Sequence, residues 1–227
     1  MSEEKQHYIG HRQRLRERFL NGTDDALPDY ELLELLLFSA KPRGDVKPLA
    51  KSLIKHFGSL SEVLHAPDRE LAKLADVGES VIATLKAVRV SAQRMLKHEM
   101  EDRPIIQSWT SLLDYCRLVM GREKVEQFRI LFLNNKNALI KDEKQQQGTV
   151  NHTPVYPREV VKRALELGAS SIILCHNHPS GDATPSQADI DMTNQIVTAC
   201  KAMNIQVHDH LIVTHKEHYS FKSYGLI

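Results

Sequence analysis

Between Ser170 and Met203 the chain prescribes three consecutive elements and the order in which they meet. SSIILCH (170–176) is an apolar run of strand length and reads as a buried strand. Pro179-Ser180-Gly181 then turns the chain. TPSQ (184–187) spells a helix start, with Thr184 as N-cap, Pro185 at N1 and Gln187 closing a capping box, so a helix is predicted over 185–203. A buried strand that passes through a tight turn into a capped helix is a building unit of α/β and α+β domains.

The turn carries unusual chemistry. His176 and His178 stand where the strand leaves the sheet. Residues i and i+2 of an extended chain project to one side, with Cα atoms about 6.5–7 Å apart, so both imidazoles can converge on one metal. Asp189 falls early in the following helix, where it can face back toward the strand end. Two neutral imidazoles and one carboxylate leave a fourth position open, the pattern of a catalytic zinc rather than a closed structural one. The chain also contains controls. HDH (208–210) repeats the His-x-His spacing, and HYIGH (7–11) repeats the helical i, i+4 pair without its glutamate. His208, Asp209 and His210 are read as supporting the site or packing, and Cys175, pointing to the other face of the strand, as core.

A hydrolytic site of this kind needs a group that receives and returns a proton. Glu123, Glu126, Asp142, Glu143, Glu159, Glu166, Asp182 and Asp191 are all candidates. Glu143 stands out because it ends a predicted hairpin, QFRILFLN (127–134) and NALIKDE (137–143) around an Asn-Asn-Lys-Asn turn. A carboxylate there could be held over the histidines of a neighbouring strand.

The remaining pattern divides the chain at HEMEDRPIIQSW (98–109), giving a helical domain over 1–103 and a mixed domain over 104–227. In the first, LPDYELLELLLFSA (27–40) predicts a helix buried on most sides, and DVKPLAKSLIKHFGSL (45–60) a helix stopped by Gly58. Residues 67–96 predict two helices joined by a turn at Asp76-Val77-Gly78. A helix-hairpin-helix would offer backbone N–H groups to a DNA phosphate from such a turn. Asp76, in place of its first glycine, sets a negative charge there instead, so the unit is read as an αα-hairpin that packs. In the second domain, PREVVKRALELG (157–168) is a helix with Pro157 at its start and Gly168 past its end, and IQVHDHLIV (205–213) is a strand.

Lys and Arg number 30 against 29 Asp and Glu, so the basic footprint usual for nucleic-acid binding is absent. The local cluster HRQRLRER (11–18) splits its arginines around a helix and is read as a solvated face. The amino terminus lacks the apolar core of a signal peptide, and no apolar run approaches the ~18–20 residues of a membrane span. Three cysteines without CxxC spacing argue against a disulfide framework, and a cytoplasmic setting is expected.

HNHPSGDATPSQAD fits His-x-His-x7-Ser-x2-Asp, and so resembles the JAB/MPN (JAMM) metalloprotease-like domain. With LPDYELLELLLFSA, FGSL, VYPREVVKRALELGASSIIL and DHLIV, the chain is similar to the bacterial RadC family over nearly its whole length. The resemblance implies an α+β or α/β protein. An all-helical amino-terminal domain with a helix-hairpin-helix-like element would precede a mixed, curved sheet flanked by helices, cytidine-deaminase-like in architecture. It implies Zn2+ on His176, His178 and Asp189. Ser186 matches the serine that hydrogen-bonds the bound water or the developing oxyanion, and Glu143, ahead of Gly148-Thr149, matches the acid/base glutamate. Gln145, Gln146 and Gln147 depart from the partly apolar residues expected there. The function implied is a zinc metallopeptidase or isopeptidase acting on a protein or peptide. The alternatives are a DNA-associated repair or recombination factor and a non-enzymatic metal-containing binding module. Iron in a two-histidine, one-carboxylate oxygenase is disfavoured, because that chemistry needs no acid/base glutamate.

Overall fold

The structure, a computed structural model, describes residues 10–23, 25–105, 109–145 and 155–227. His7, Gln146, Gln147, Gly148 and Thr149 lie outside the described residues. The chain divides into two compact units, Met1–Ala92 and Gln93–Ile227, and the division falls inside a long helix, Glu79–Asp102.

The first unit is helical: α1 (His11–Asn21), α2 (Asp29–Ala40), α3 (Lys47–Phe57), α4 (Leu60–His65), α5 (Asp68–Leu71) and the opening turns of α6 (Glu79–Asp102). Leu33, Leu37, Leu53 and Val63 are fully buried at its centre. Gly58 stops α3 with φ 102°, a conformation that favours glycine. The basic cluster on α1 is exposed at Arg14, Arg16 and Arg18, as a solvated face requires, but two of its arginines also bind α2 and the loop after it. Arg12 donates to the carbonyls of Lys41 (2.7 Å) and Gly44 (2.8 Å) beyond the end of α2, and its guanidinium stacks on Phe38. Arg18 pairs with Glu31, and His11 Nε2 lies 2.8 Å from Glu34 Oε2. The physical reason is on α2: Glu31 and Glu34 are buried, and a buried carboxylate requires a partner. In the turn before α6, Asp76 has φ 63° and its carboxylate meets Lys41 Nζ at 3.3 Å.

The second unit is built on a five-stranded mixed sheet, β1 (Phe128–Leu133), β2 (Leu139–Lys144), β3 (Ser171–Asn177), β4 (Gln206–Val213) and β5 (His218–Ser220), in the order β2-β1-β3-β4-β5. Among the described residues, only the β3–β4 pair is parallel. Asn134 supports the β1–β2 turn, its Oδ1 accepting from the N–H groups of Lys136 and Ala138. One face carries Leu131, Leu133, Ile173, Cys175, Leu211 and Val213 against α7 (Trp109–Met120). The other carries Phe128, Ile130, Phe132, Ile172 and Leu174 against α8 (Pro157–Glu166) and α9 (Gln187–Ala202). Helices therefore flank a mixed sheet on both faces. Gly168, just past α8, has φ 64°. Among the described residues, no helix is long and apolar enough to cross a membrane.

One irregularity governs which side chains reach which face. Ile172 pairs with Val207 but Ile173 pairs with Asp209, so β4 holds one extra residue at this point. A one-residue slip exchanges the two faces of everything beyond it. Leu174 therefore pairs with His210, and His210 lies on the face of α8 and α9. His208 stays on the α7 side, bonded to Asn137 Oδ1 at 2.7 Å.

Candidate metal centre

The centre sits where β3 delivers the chain to α9. His176 is the penultimate residue of β3, and His178 follows the strand with its backbone N–H on the Val213 carbonyl. The helix start is shifted from the sequence expectation. Ser186, not Thr184, is the N-cap, Gln187 is N1 rather than N3, and Asp189 occupies N3. Ser186 and Asp189 form a capping box: Ser186 Oγ accepts from the Asp189 N–H at 3.2 Å, and Asp189 Oδ2 accepts from the Ser186 N–H at 2.7 Å. The Ser-x-x-Asp pair satisfies two orphan N–H groups reciprocally, which Thr184 with Gln187 would have to match across Pro185. Ser186 Oγ also donates to Asp189 Oδ2 at 2.6 Å, which steadies the carboxylate.

His176, His178 and Asp189 bring one donor atom each to a common point. His176 Nε2 and His178 Nε2 are 3.0 Å apart, and Asp189 approaches the first through Oδ1 at 3.4 Å and the second through Oδ2 at 3.7 Å. Zinc–ligand lengths of about 2.0–2.1 Å in a tetrahedron separate neighbouring donors by about 3.3 Å, so this set fits that ion. The far side of each imidazole is occupied. His178 Nδ1 donates to the Asp182 carbonyl at 2.8 Å, and His176 Nδ1 is 2.7 Å from His210 Nε2.

Charge follows the geometry. Burial pushes His176 down to about 4, and burial holds His210 well below the ordinary imidazole range. His178 is raised, first by its bond to Asp189. Burial opposes ionisation of Asp189, but His178, His176 and Ser186 together hold it below the usual carboxylate range. The imidazole shifts set the acid sensitivity of the metal-free protein. A group depressed in the fold is protonated more readily in the unfolded chain, so its contribution is complete above ~6.5 and drains as pH falls. His176 alone loses on the order of 3 kcal/mol by pH 4. His210 adds to this, and His178, raised instead, opposes both. The urea midpoint of chelated protein should fall between pH 7 and pH 4.5; a flat or rising midpoint contradicts the assignment.

Glu143 stands apart from the three. It pairs with Ile130, which pairs with Leu174, so it shares the face of His176 but lies two strands away, ~10 Å across the sheet. Its carboxylate is held by Arg163 of α8, Nη2 to Oε1 at 2.6 Å and Nε to Oε2 at 2.9 Å, and this bond lowers its pKa. Asp142 is turned to the opposite face and committed to Arg129 and Tyr115. Cys175 is buried on the α7 side. Sequence reading missed Arg163 and Thr193. The second was legible in principle, as Asp189 and Thr193 stand one helical turn apart.

A mixed sheet between helices, with His-x-His leaving a strand and an aspartate in the next helix, defines a JAB-type domain. The RadC-like JAB domain family matches residues 106–226, and the UPF0758 N-terminal family matches residues 7–83. A UPF0758 protein of Rhodobacter capsulatus is 56% identical over 213 residues, 94% of this chain and 100% of that protein. One of Ruegeria pomeroyi is 55% identical over 217 residues, 96% of this chain and 97% of that protein. The chain belongs to the UPF0758 family, with a RadC-like JAB domain as its carboxy-terminal half.

Proposed function

We propose that this protein is a cytoplasmic, zinc-dependent hydrolase of amide bonds, a peptidase or isopeptidase, with His176, His178 and Asp189 as the metal ligands. One observation carries the reading: two imidazole nitrogens 3.0 Å apart and one carboxylate oxygen lie within 4.8 Å of one another, while the opposite nitrogen of each imidazole is bonded elsewhere. Zinc, when bound, supplies a water of lowered pKa and polarises a carbonyl oxygen.

The chain's own residues do the rest. His176 is buried, so its Nε2 stays neutral and available near pH 7. Glu143, the acid/base group that the family resemblance implies, lies two strands from His176 and must leave Arg163 to receive a proton at its carboxylate and return it to the leaving amine. Arg163 keeps that carboxylate ionised, hence able to accept, and also makes it a weaker base than an unpaired glutamate. Ser186 is exposed at the mouth of the site, and its hydroxyl can turn from Asp189 to donate to a developing oxyanion. The substrate is a protein or peptide, in keeping with the JAB family resemblance.

The test joins metal analysis to turnover. Protein purified without an affinity tag should carry a single zinc per chain and cleave members of a peptide and isopeptide library. Chelator should abolish cleavage, and zinc should restore it. Zinc absent from folded protein would overturn the ligand assignment. Zinc-loaded protein that cleaves nothing would favour a binding module.

A further inference from the structure

The hydrogen bonds behind His176 have only one consistent order. Thr193 Oγ1 lies 2.5 Å from the backbone carbonyl of Asp189, its neighbour one helical turn back. Two oxygens that close require a proton between them, and a carbonyl can only accept. The single hydroxyl proton of Thr193 is therefore spent on Asp189. Thr193 Oγ1 is also 2.6 Å from His210 Nδ1, so the proton of this second bond must come from the imidazole. His210 is fully buried and its ring nitrogens meet Thr193 and His176, neither of them a carboxylate, so it carries one ring proton, and that proton sits on Nδ1. Its Nε2 is then bare and accepts at 2.7 Å from His176 Nδ1. His176 in turn keeps a bare Nε2, the atom that faces His178 and Asp189.

We infer that Thr193 and His210 are positioning residues that lock His176 into its Nδ1–H tautomer, presenting an unprotonated Nε2 to the metal position. The relay starts and ends on Asp189: its carbonyl sets the direction of the protons, and its carboxylate stands opposite the nitrogen they leave bare. Reversed, with Thr193 donating to His210, the same distances would place a proton on His176 Nε2 and block the site. Thr193 is held for this by α9 and His210 by the extra residue in β4; both are fully buried.

The inference deepens the metal-site reading and rests on it for its purpose, but its first test needs no metal. Long-range proton–nitrogen correlation of the imidazoles in full-length, metal-free protein should show His176 and His210 protonated at Nδ1. Thr193→Val removes the hydroxyl at nearly constant shape, and should populate the Nε2–H form of His176. It should also weaken zinc binding about 10–100-fold, the usual effect of losing a partner behind a ligand. Thr193→Ser should restore both. His176 protonated at Nε2 in the wild type overturns the inference, and so does a folded Thr193→Val with wild-type tautomers and affinity. If the wild type binds no zinc, the metal-site reading fails while the tautomer spectrum still decides this one.

Discussion

Glu143→Gln should leave zinc content unchanged and remove ~10²–10⁴-fold of hydrolytic rate, the usual contribution of an acid/base group. The side chain is on the sheet face of His176 but is bonded to Arg163, so its replacement touches no ligand. Glutamine keeps the shape and one acceptor oxygen yet cannot take the proton. The fold should barely respond, because Arg163 is partly exposed and retains Glu166 at 2.9 Å. An exposed ion pair of this kind contributes ~0–1 kcal/mol, which moves the melting temperature by a few degrees at most. Full activity in the glutamine variant, on a substrate the wild type cleaves, would reassign the base. Arg163→Ala is the companion experiment. Without the guanidinium, Glu143 should titrate closer to an ordinary carboxylate, and the acidic limb of kcat/KM should move to higher pH. An unmoved limb would separate Glu143 from the rate profile.

The second large effect belongs to Asp189, which is both a proposed ligand and the N3 residue of α9. Asp189→Ala should lose zinc outright, a greater loss than the ~10–100-fold that follows removal of a supporting partner. It should also lower stability by about 0.5–2 kcal/mol in the presence of chelator, as a broken helix cap does. Asp189→Asn separates the two roles. Its amide oxygen can still accept from the Ser186 N–H, so most of the stability should return, while the uncharged group remains a poor ligand. Urea midpoints and bound zinc, measured on the same preparations, check both. Zinc held by the asparagine variant as tightly as by wild type would remove the carboxylate from the ligand set.

The parts of the site that follow chain direction were legible in the sequence. His176 and His178 share a side because an extended chain alternates, and Pro157 and Gly168 bracket α8 because their backbone preferences allow little else. The start of α9 was harder. Two hydroxyl residues flank Pro185, and only three-dimensional reciprocity between Ser186 and Asp189 selects one as the cap. Burial of Glu31 and Glu34 escaped because acidic residues on a helix signal solvent unless a neighbouring helix brings cations, as α1 does. Arg163 and Glu143 lie twenty residues apart and meet only when α8 packs on the sheet. The strand β5 is too short for alternation to mark it, whereas α7, which buries Leu112, Leu113, Tyr115, Cys116 and Met120 at helical spacing, was legible and was missed.

The extra residue in β4 makes length, and not only composition, a determinant of chemistry. A chain one residue shorter between Val207 and His210 would keep every side chain named above except the one removed, and could keep the same strand order. Its alternation would run unbroken from Val207, opposite Ile172, to His210, opposite Leu174, so the imidazole would still face α8 and α9 and meet His176. Drawing the strand straight without removing a residue would instead turn His210 toward α7. Among relatives of this protein, the irregularity should therefore be kept, or lost together with one residue of β4, and not straightened at constant count.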